Sequence, residues 1–227
     1  MPQKFTRDRV LSQTLLGGST YSCLRITVKV RKQDALAGLS DDSDFIDDFK
    51  STAVTPLGLS VGYSSTGRVK ALAVASMDRC LIVEFSGNVS TATRKILEKT
   101  ILCKLEGEKY AFDMGKVSMS LLADLNLHIT DAVDIQSAFS EALDNSRCPV
   151  DSIRECLGTG ITIYEKNVAR IFEHSNYNFK GHELDLAQRA WIACVLPSTD
   201  TTTDVFAKVK RINTNSQTVC GLSDPRV

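Results

Sequence analysis

Three short apolar runs follow one another in the second quarter of the chain, over residues 57–63, 69–75 and 80–85. Each run is rich in Val, Leu and Ile and is bounded by Gly, Ser or Asp, a composition typical of β-strands joined by tight turns. We therefore predict three adjacent antiparallel strands. Apolar and polar residues also alternate over residues 20–30, which predicts a further strand before them.

The rest of the chain shows mainly the helical spacing of apolar residues. Ser90 or Thr91 can cap a helix in which apolar residues recur every three or four positions. Further helices are predicted within residues 34–50 and over residues 116–127, 136–143, 148–157, 184–196 and 201–212. Gly158 and Pro197 are the expected ends of two of them. Strands interspersed with helices place the chain in the α/β class.

Length and composition indicate one folded unit. The chain has 227 residues, of which 43% are hydrophobic, enough to bury a sizeable core. We expect a flexible N-terminal arm over residues 1–18 that orders only against the domain or a partner, a single domain over 19–212, and a mobile C-terminal tail over 213–227. No run is apolar enough to cross a bilayer and no signal peptide is evident, so we expect an intracellular protein, nuclear or cytoplasmic, with no membrane partner.

The cysteines and histidines do not form a recognisable metal motif. Seven cysteines are spread singly along the chain, and the three histidines have no ligand spacing to one another or to a cysteine. A zinc site or a Cys–His hydrolase is therefore not expected, and we predict no metal and no cofactor. Cys80 and Cys194 lie inside apolar runs, which predicts buried reduced thiols.

The charge balance argues against a general affinity for nucleic acid. Twenty-seven Lys and Arg residues balance twenty-seven Asp and Glu residues, so RNA binding would need a local patch. Three cations share one face in and beside the strand over residues 20–30, and three more lie among aromatic residues over 159–180. A solvated strand face and ordinary helix packing are the competing interpretations. The candidate RNA-binding residues are Arg25, Lys29, Arg31, Lys166, Arg170 and Lys180. A smaller basic cluster, on a predicted helix, lies at residues 208–211.

Several short motifs occur in a characteristic order between residues 55 and 195. Residues 58–63 read Gly-Leu-Ser-Val-Gly-Tyr, residues 121–127 read Leu-Leu-Ala-Asp-Leu-Asn-Leu, residues 133–136 read Val-Asp-Ile-Gln, and residues 188–195 read Gln-Arg-Ala-Trp-Ile-Ala-Cys-Val. Together they resemble the motifs of the RNase D and Werner-type 3′-to-5′ exonucleases, the DEDD group. The resemblance implies a ribonuclease-H-like fold, with a central mixed sheet of three antiparallel strands followed by parallel strands and with helices on both faces.

The same resemblance implies that the catalytic residues are missing. The four metal-binding acids of the family correspond to Ser60, Gly62, Val117 and Val195, and the family's tyrosine corresponds to Trp191. Hard divalent cations need anionic oxygen, which none of these side chains supplies. Without a metal pair the attacking water is not activated. We therefore expect a degenerate exonuclease domain without catalytic activity.

Three functions remain open at this point. The first is a protein-interaction scaffold or adaptor in an RNA-processing or small-RNA silencing complex, with a homodimer as one arrangement. The second is a module that binds RNA directly but weakly. The third is an active exonuclease with a rearranged acid site, for which the candidates are Glu84, Asp113, Asp134 and Asp185. Helix capping or solvent exposure is the competing explanation for these acids.

Overall fold

A computed structural model describes residues 7–18, 24–37, 56–104, 107–139, 148–173, 176–177, 181–199 and 203–215. Within these ranges, seven strands form one mixed sheet. The strands are β1 (Arg7–Ser12), β2 (Arg25–Lys32), β3 (Leu57–Tyr63), β4 (Val69–Ala75), β5 (Arg79–Glu84), β6 (Lys109–Ala111) and β7 (Ala132–Asp134). Their spatial order is β1-β2-β5-β4-β3-β6-β7.

The centre of the sheet has the predicted arrangement. Strands β3, β4 and β5 pair antiparallel, and β6 and β7 continue the sheet parallel to β3. Short turns join the antiparallel strands, and Gly67 adopts a φ of 78° in the first turn, a conformation that glycine reaches without strain. A parallel neighbour needs a longer crossover, which helices supply before β6 and β7.

Two N-terminal strands extend the sheet beyond β5. Strand β2 runs parallel to β5 and β1 lies antiparallel to β2 at the outer edge. The chain then turns inward, where Leu15 and Leu16 are fully buried. Residues 7–18 of the expected arm are thus ordered against the domain, because pairing with β2 and burial of the two leucines hold this segment in place.

The C-terminal end of the described chain also differs from the expected mobile tail. The backbone of Thr214 donates to the Ile129 carbonyl at 2.9 Å, and its hydroxyl accepts from the Ile129 N–H at 2.8 Å. The side chain of Asn213 accepts a hydrogen bond from the Asp131 N–H at 2.8 Å. Residues 213–215 therefore belong to the folded domain.

Seven α-helices are described, and some are shorter than predicted. They are α1 (Gln33–Ala37), α2 (Thr91–Leu97), α3 (Met114–Leu125), α4 (Pro149–Leu157), α5 (Glu165–Glu173), α6 (His182–Val195) and α7 (Thr203–Ala207). Helix α2 continues as a π-helical turn over Glu98–Leu102. Only a 3₁₀ turn, Gln136–Ala138, occupies the described part of the helix predicted over 136–143. The helix predicted over 201–212 ends at Ala207, so the basic cluster lies beyond it. No described helix is long and apolar enough to cross a membrane.

Helices cover both faces of the sheet, as predicted. Alternate residues of β3, namely Leu57, Leu59 and Val61, share a core with residues of α1, α2 and α3, whereas α4, α5, α6 and α7 contribute to the core of the opposite face. Cys80 and Cys194 are buried, and neither forms a disulfide within the described residues.

Helix α6 lies directly on the backbone of β3. A Cβ built on Gly58 would lie 1.8 Å from the carbonyl oxygen of Ala190 and 2.5 Å from the backbone nitrogen of Cys194. Only glycine fits this approach, which determines where α6 crosses the strand and which of its residues lie near the end of β3.

Candidate functional site

A cavity of about 270 Å³ lies at the carboxyl ends of the parallel strands β3, β6 and β7. The beginning of α3 and one side each of α5 and α6 complete its wall. Its described lining includes Ser60, Tyr63, Phe112, Asp113, Lys116, Val117, Gln136, Phe172 and Arg189. Crevices outside the carboxyl ends of parallel strands are the usual ligand sites of α/β sheets. This cavity is therefore the candidate functional site.

Two of the predicted degenerate positions meet in this cavity. Ser60 comes from β3 and Val117 from the first turns of α3, and both are largely buried. One offers a hydroxyl and the other an isopropyl group, so neither supplies the anionic oxygen that Mg²⁺ or Mn²⁺ requires. The donor set at these two positions does not fit a divalent metal pair.

The third predicted position, Gly62, lies against an aromatic side chain. A Cβ built on Gly62 would lie 2.7 Å from the Cβ of Tyr177. Tyr177 is buried, its N–H donates to the Tyr63 carbonyl, and its hydroxyl donates to Glu84 at 2.8 Å. The space that a side chain at position 62 would need is therefore filled.

The structure does not bring Trp191 and Val195 to the cavity. The Trp191 indole is fully buried and donates to the Met77 carbonyl at 3.0 Å, and Val195 is fully buried in the core of the same face. The residue of α6 that lines the cavity is Arg189. Because the contact of Gly58 with Ala190 sets the position of α6, the helix presents Arg189 near the end of β3.

Sequence reasoning missed Arg189, although a signal was present. It is a cation followed by apolar residues of a helix that is buried almost throughout, and such a side chain is rarely placed there without a partner or a role. The residue is about 8% exposed. Burial lowers the pKa of Arg189 to about 10, and Asp185 opposes that shift, so the group stays protonated at neutral pH.

A second cation enters the cavity from α3. The ammonium group of Lys116 lies 5.3 Å from the centre of the Tyr63 ring, a favourable cation–π distance. The Tyr63 hydroxyl is 3.2 Å from the Ser120 hydroxyl, and burial raises the pKa of Tyr63. Asp113 is the N-cap of α3 in a left-handed conformation, and its carboxylate accepts from the Lys116 N–H at 3.3 Å.

The four acids considered for a rearranged site have other partners. Glu84 accepts from Tyr177, Asp113 caps α3, and Asp185 forms an ion pair with Arg170 at 3.0 Å. Asp134 accepts from the Gln136 N–H at 3.0 Å and from the Ser137 hydroxyl at 3.1 Å, while burial raises its pKa. In the ranges that the structure describes, no three His, Cys, Asp or Glu side chains are arranged to hold a metal ion.

The candidate RNA-binding residues lie in several places. Arg25, Lys29 and Arg31 share one face of β2, because the alternate residues Ile26, Val28 and Val30 are buried on the other. The Arg31 guanidinium donates to the Asp8 carboxylate at 2.9 Å. Strand β2 lies between β1 and β5, so it is not an edge strand of the described sheet. Lys166 is exposed on α5.

The two remaining candidate RNA-binding residues are Arg170 and Lys180. Arg170 is paired with Asp185, and Lys180 lies outside the described residues. The basic residues after α7 line a separate cavity of about 960 Å³, in which Arg211 is bonded to the carbonyls of Phe206 and Val209.

Comparison with known proteins identifies the fold. No family model and no curated protein matches the chain. Solved structures do match it: the EXO domain of Nibbler from Aedes aegypti has a TM-score of 0.51 at 14% identity, covering 80% of this chain and 86% of that chain. RNase D from Trypanosoma brucei has a TM-score of 0.53 at 14% identity, covering 78% and 68%. The chain has the ribonuclease-H-like exonuclease fold. At this identity the likeness establishes the fold alone.

Charged side chains of both signs line the cavity. Of the described residues that line the cavity, Lys116 and Arg189 are cationic and Asp113 is anionic. Asp185 acts on Arg189 and Asp134 on Asp113 from beside the cavity, so charges of both signs surround it. Among the described lining side chains only Asp113 offers an anionic oxygen, so this lining does not supply the ligands of a divalent metal pair.

Proposed function

We propose that this chain is a non-catalytic exonuclease-like domain that acts as a scaffold or adaptor in an RNA-processing or small-RNA silencing complex. The observation that carries the proposal is the lining of the cavity at the end of β3. Ser60 and Val117 replace the acids that the resemblance assigns there, and Arg189 adds a positive charge. Metal-assisted hydrolysis requires two divalent ions, which this set of side chains does not attract.

The contact between Gly62 and Tyr177 supports the same proposal. A metal-binding acid at position 62 would need the space that Tyr177 fills, because the two Cβ atoms would be 2.7 Å apart. The side chain of Tyr177 therefore excludes an acidic side chain at position 62.

The fold and the exposed surface support the proposed adaptor role. RNase D is named for action on RNA, and a domain with this fold that lacks hydrolysis retains a surface for assembly with partners. Of the described large hydrophobic residues, Val10, Met119 and Tyr164 are at least half exposed. Val10 lies on β1, the outer strand of the described sheet, where unpaired backbone groups can accept a partner strand.

An activity assay tests the loss of catalysis. The purified chain is incubated with Mn²⁺ and end-labelled RNA or DNA, and we expect no shortening above the level of a buffer control. Shortening that disappears in an Asp134→Ala variant, while a Lys95→Gln variant retains it, would contradict the proposal and favour the rearranged acid site.

A hydrodynamic experiment tests the scaffold. Sedimentation velocity over a wide range of protein concentration, followed by capture of partners from the native cell, is expected to show self-association or a defined complex. A strictly monomeric chain that retains no RNA-handling partner would contradict the adaptor role.

A second candidate function is direct RNA binding, which the shared face of Arg25, Lys29 and Arg31 on β2 favours. It predicts that the chain retains labelled single-stranded RNA at low salt and that the affinity falls steeply as salt rises, because phosphate contacts release counterions. Absence of any retention at low salt would eliminate this candidate.

A further inference from the structure

We infer that the larger cavity of the domain binds a short peptide segment of a partner protein, in which acidic residues flank aliphatic ones. This cavity of about 960 Å³ lies between residues 134–138 and residues 205–213, and we call it the basic groove. It shares no described lining residue with the cavity at the end of β3. The inference rests on the proposed adaptor role, for which it names the chemistry of a partner.

One wall of the basic groove is fixed to the sheet. Ile212 and Ala132 of β7 exchange two backbone hydrogen bonds, at 2.8 Å and 3.2 Å. The Asn213 side chain accepts from the Asp131 N–H at 2.8 Å. A wall that is already ordered lowers the entropy that a bound peptide must offset.

Arg211 belongs to this fixed wall and not to the ligand. Its guanidinium donates to the carbonyls of Phe206 and Val209, at 2.9 Å and 2.8 Å, and forms an ion pair with Glu108. Its donors are therefore largely occupied within the chain. They hold the turn that follows α7.

The charges left for a ligand are the ammonium groups of Lys208 and Lys210. Both residues line the basic groove and are exposed. Within the described part of the chain, neither side chain has a hydrogen bond or an ion pair. An ammonium group with three donors and no partner favours a carboxylate ligand.

The acids around the basic groove leave this positive charge in place. Glu108 is paired with Arg211, and Asp131 is outside the described lining and acts on Lys109. Asp134 lines the opposite wall and caps the turn that follows it, as described above. After Arg211 and Glu108 cancel, the described lining holds two cations and one acid. Carboxylates of a ligand are therefore attracted to the wall that carries the lysines.

Between the charged walls the groove is aliphatic. Ala138, Val205, Val209 and Ile212 line it and are only partly buried. An aliphatic side chain that covers them leaves water, which stabilises binding. None of the described lining residues has an aromatic ring, on which the bases of a nucleic-acid strand would stack. The lining thus favours a peptide over RNA.

The size of the basic groove agrees with this choice. Its volume is close to the upper end of small-molecule sites, about 1,000 Å³, so it has room for several peptide residues.

Fluorescence anisotropy with the whole chain tests the inference. The probe is the labelled, end-capped peptide Asp-Glu-Val-Leu-Glu-Asp, and the comparison peptides are Asn-Gln-Val-Leu-Gln-Asn and Asp-Glu-Gly-Gly-Glu-Asp. We expect the amide peptide to bind at least about threefold more weakly, because both lysines lose their carboxylates. The glycine peptide should bind at least about tenfold more weakly, because the aliphatic contact is lost.

Matched variants connect the binding to the basic groove. Lys208→Glu combined with Lys210→Glu should weaken the acidic–aliphatic peptide at least about tenfold, because attraction becomes repulsion. Lys95→Glu combined with Lys99→Glu changes the net charge equally, outside the groove lining, and should leave the affinity unchanged. Circular dichroism of both double variants checks that they are folded.

A third variant tests the aliphatic surface. Val209→Thr keeps the shape of the wall and adds a hydroxyl, so it should weaken the acidic–aliphatic peptide and leave the glycine peptide unchanged.

Each remaining outcome decides the inference. It is overturned if the acidic–aliphatic peptide does not bind at millimolar concentration, or if the two double variants bind it equally. A glycine peptide that binds as tightly as the probe would show charge attraction alone and overturn it too. Single-stranded RNA that binds more tightly than the peptide, and that the Lys208→Glu and Lys210→Glu pair weakens, would make the groove a nucleic-acid surface and overturn it.

The proposed function fails by a different observation. Shortening of RNA in the presence of Mn²⁺ contradicts the loss of catalysis and leaves peptide binding unaffected. Absence of peptide binding, in turn, leaves the lining of the cavity at the end of β3 as it is.

Discussion

Gly62 and Tyr177 are packed so closely that no side chain fits on the former: a Cβ at position 62 would lie 2.7 Å from the Cβ and 2.9 Å from the Cδ2 of the tyrosine. Strand β3 thus ends against a residue from the segment before α6. The absence of an acid at position 62 is built into the packing of the domain.

Gly62→Ala should lower the free energy of unfolding by about 1–3 kcal/mol, because the new methyl group overpacks the site. Urea unfolding followed by circular dichroism measures the change. Gly115→Ala is the matched control: a Cβ at position 115 meets open space on α3, and replacing a helical glycine should raise stability by up to about 1 kcal/mol. Equal effects of the two substitutions would contradict the packing described here.

A larger effect is expected at Gly58. Its Cβ would lie 1.8 Å from a backbone carbonyl of α6, and a backbone cannot move away as a side chain can. Gly58→Ala should therefore cost more than Gly62→Ala, on the order of 3 kcal/mol or more, or prevent folding. Thermal unfolding of both variants checks the order, and a Gly58→Ala protein as stable as the parent would show that α6 does not cross β3 at this point.

The ion pair between Arg9 and Glu183 should hold β1 against α6. The two groups are 2.7 Å apart, and the Glu183 side chain is only 2% exposed. Arg9→Ala leaves a buried carboxylate without this partner and should destabilise the domain by about 1–3 kcal/mol. The control is Arg31→Ala, whose partner Asp8 is 57% exposed and for which a loss below about 1 kcal/mol is expected. If both variants unfold at the same urea concentration, the N-terminal strand is not held in this way.

The raised pKa of Asp134 predicts a pH effect on stability. Burial raises the pKa in the folded chain above the ordinary value of about 3.9, so the native state binds more protons than the unfolded chain between those two values. Stability then falls as pH rises through this window. As pH rises through this window, the unfolding free energy of the Asp134→Asn variant should increase relative to that of the parent. Above the window the difference should stay constant. A difference that does not depend on pH would refute the shift.

Thiol reactivity should follow burial. Cys148 is exposed, whereas burial raises the pKa of Cys156 and of Cys194 to about 12. At pH 8 the exposed thiol should be alkylated rapidly and the two buried thiols only after unfolding, because the thiolate is the reactive form. Mass spectrometry of the alkylated peptides measures each site, with urea-unfolded protein as the control. Rapid labelling of Cys194 in the folded chain would contradict its burial, in which the thiol donates to the Pro56 carbonyl at 3.1 Å.

The sequence predicted the centre of the fold well, for a physical reason. Residues 57–63, 69–75 and 80–85 are short, apolar and separated by turn residues, so local rules alone determine three hairpin-connected strands. Strand β1 was missed because its residues pair only with β2 and its alternating charges resemble an exposed arm. Such a strand is determined by its partner and not by its own composition.

The site was predicted in part. Ser60 and Val117 meet in the cavity, since the strand and helix periods determine which way they face. The register of α6 could not be predicted, because nearly every residue after Leu186 is buried and no apolar stripe marks one face. The close contact at Gly58 decides the register instead, and it places Arg189, not Val195, at the cavity.

The most direct test of the central claim is anomalous diffraction from a crystal of this chain soaked in Mn²⁺. The account predicts no manganese peak in the cavity lined by Ser60, Val117 and Arg189. A pair of ions about 4 Å apart in that cavity would contradict it.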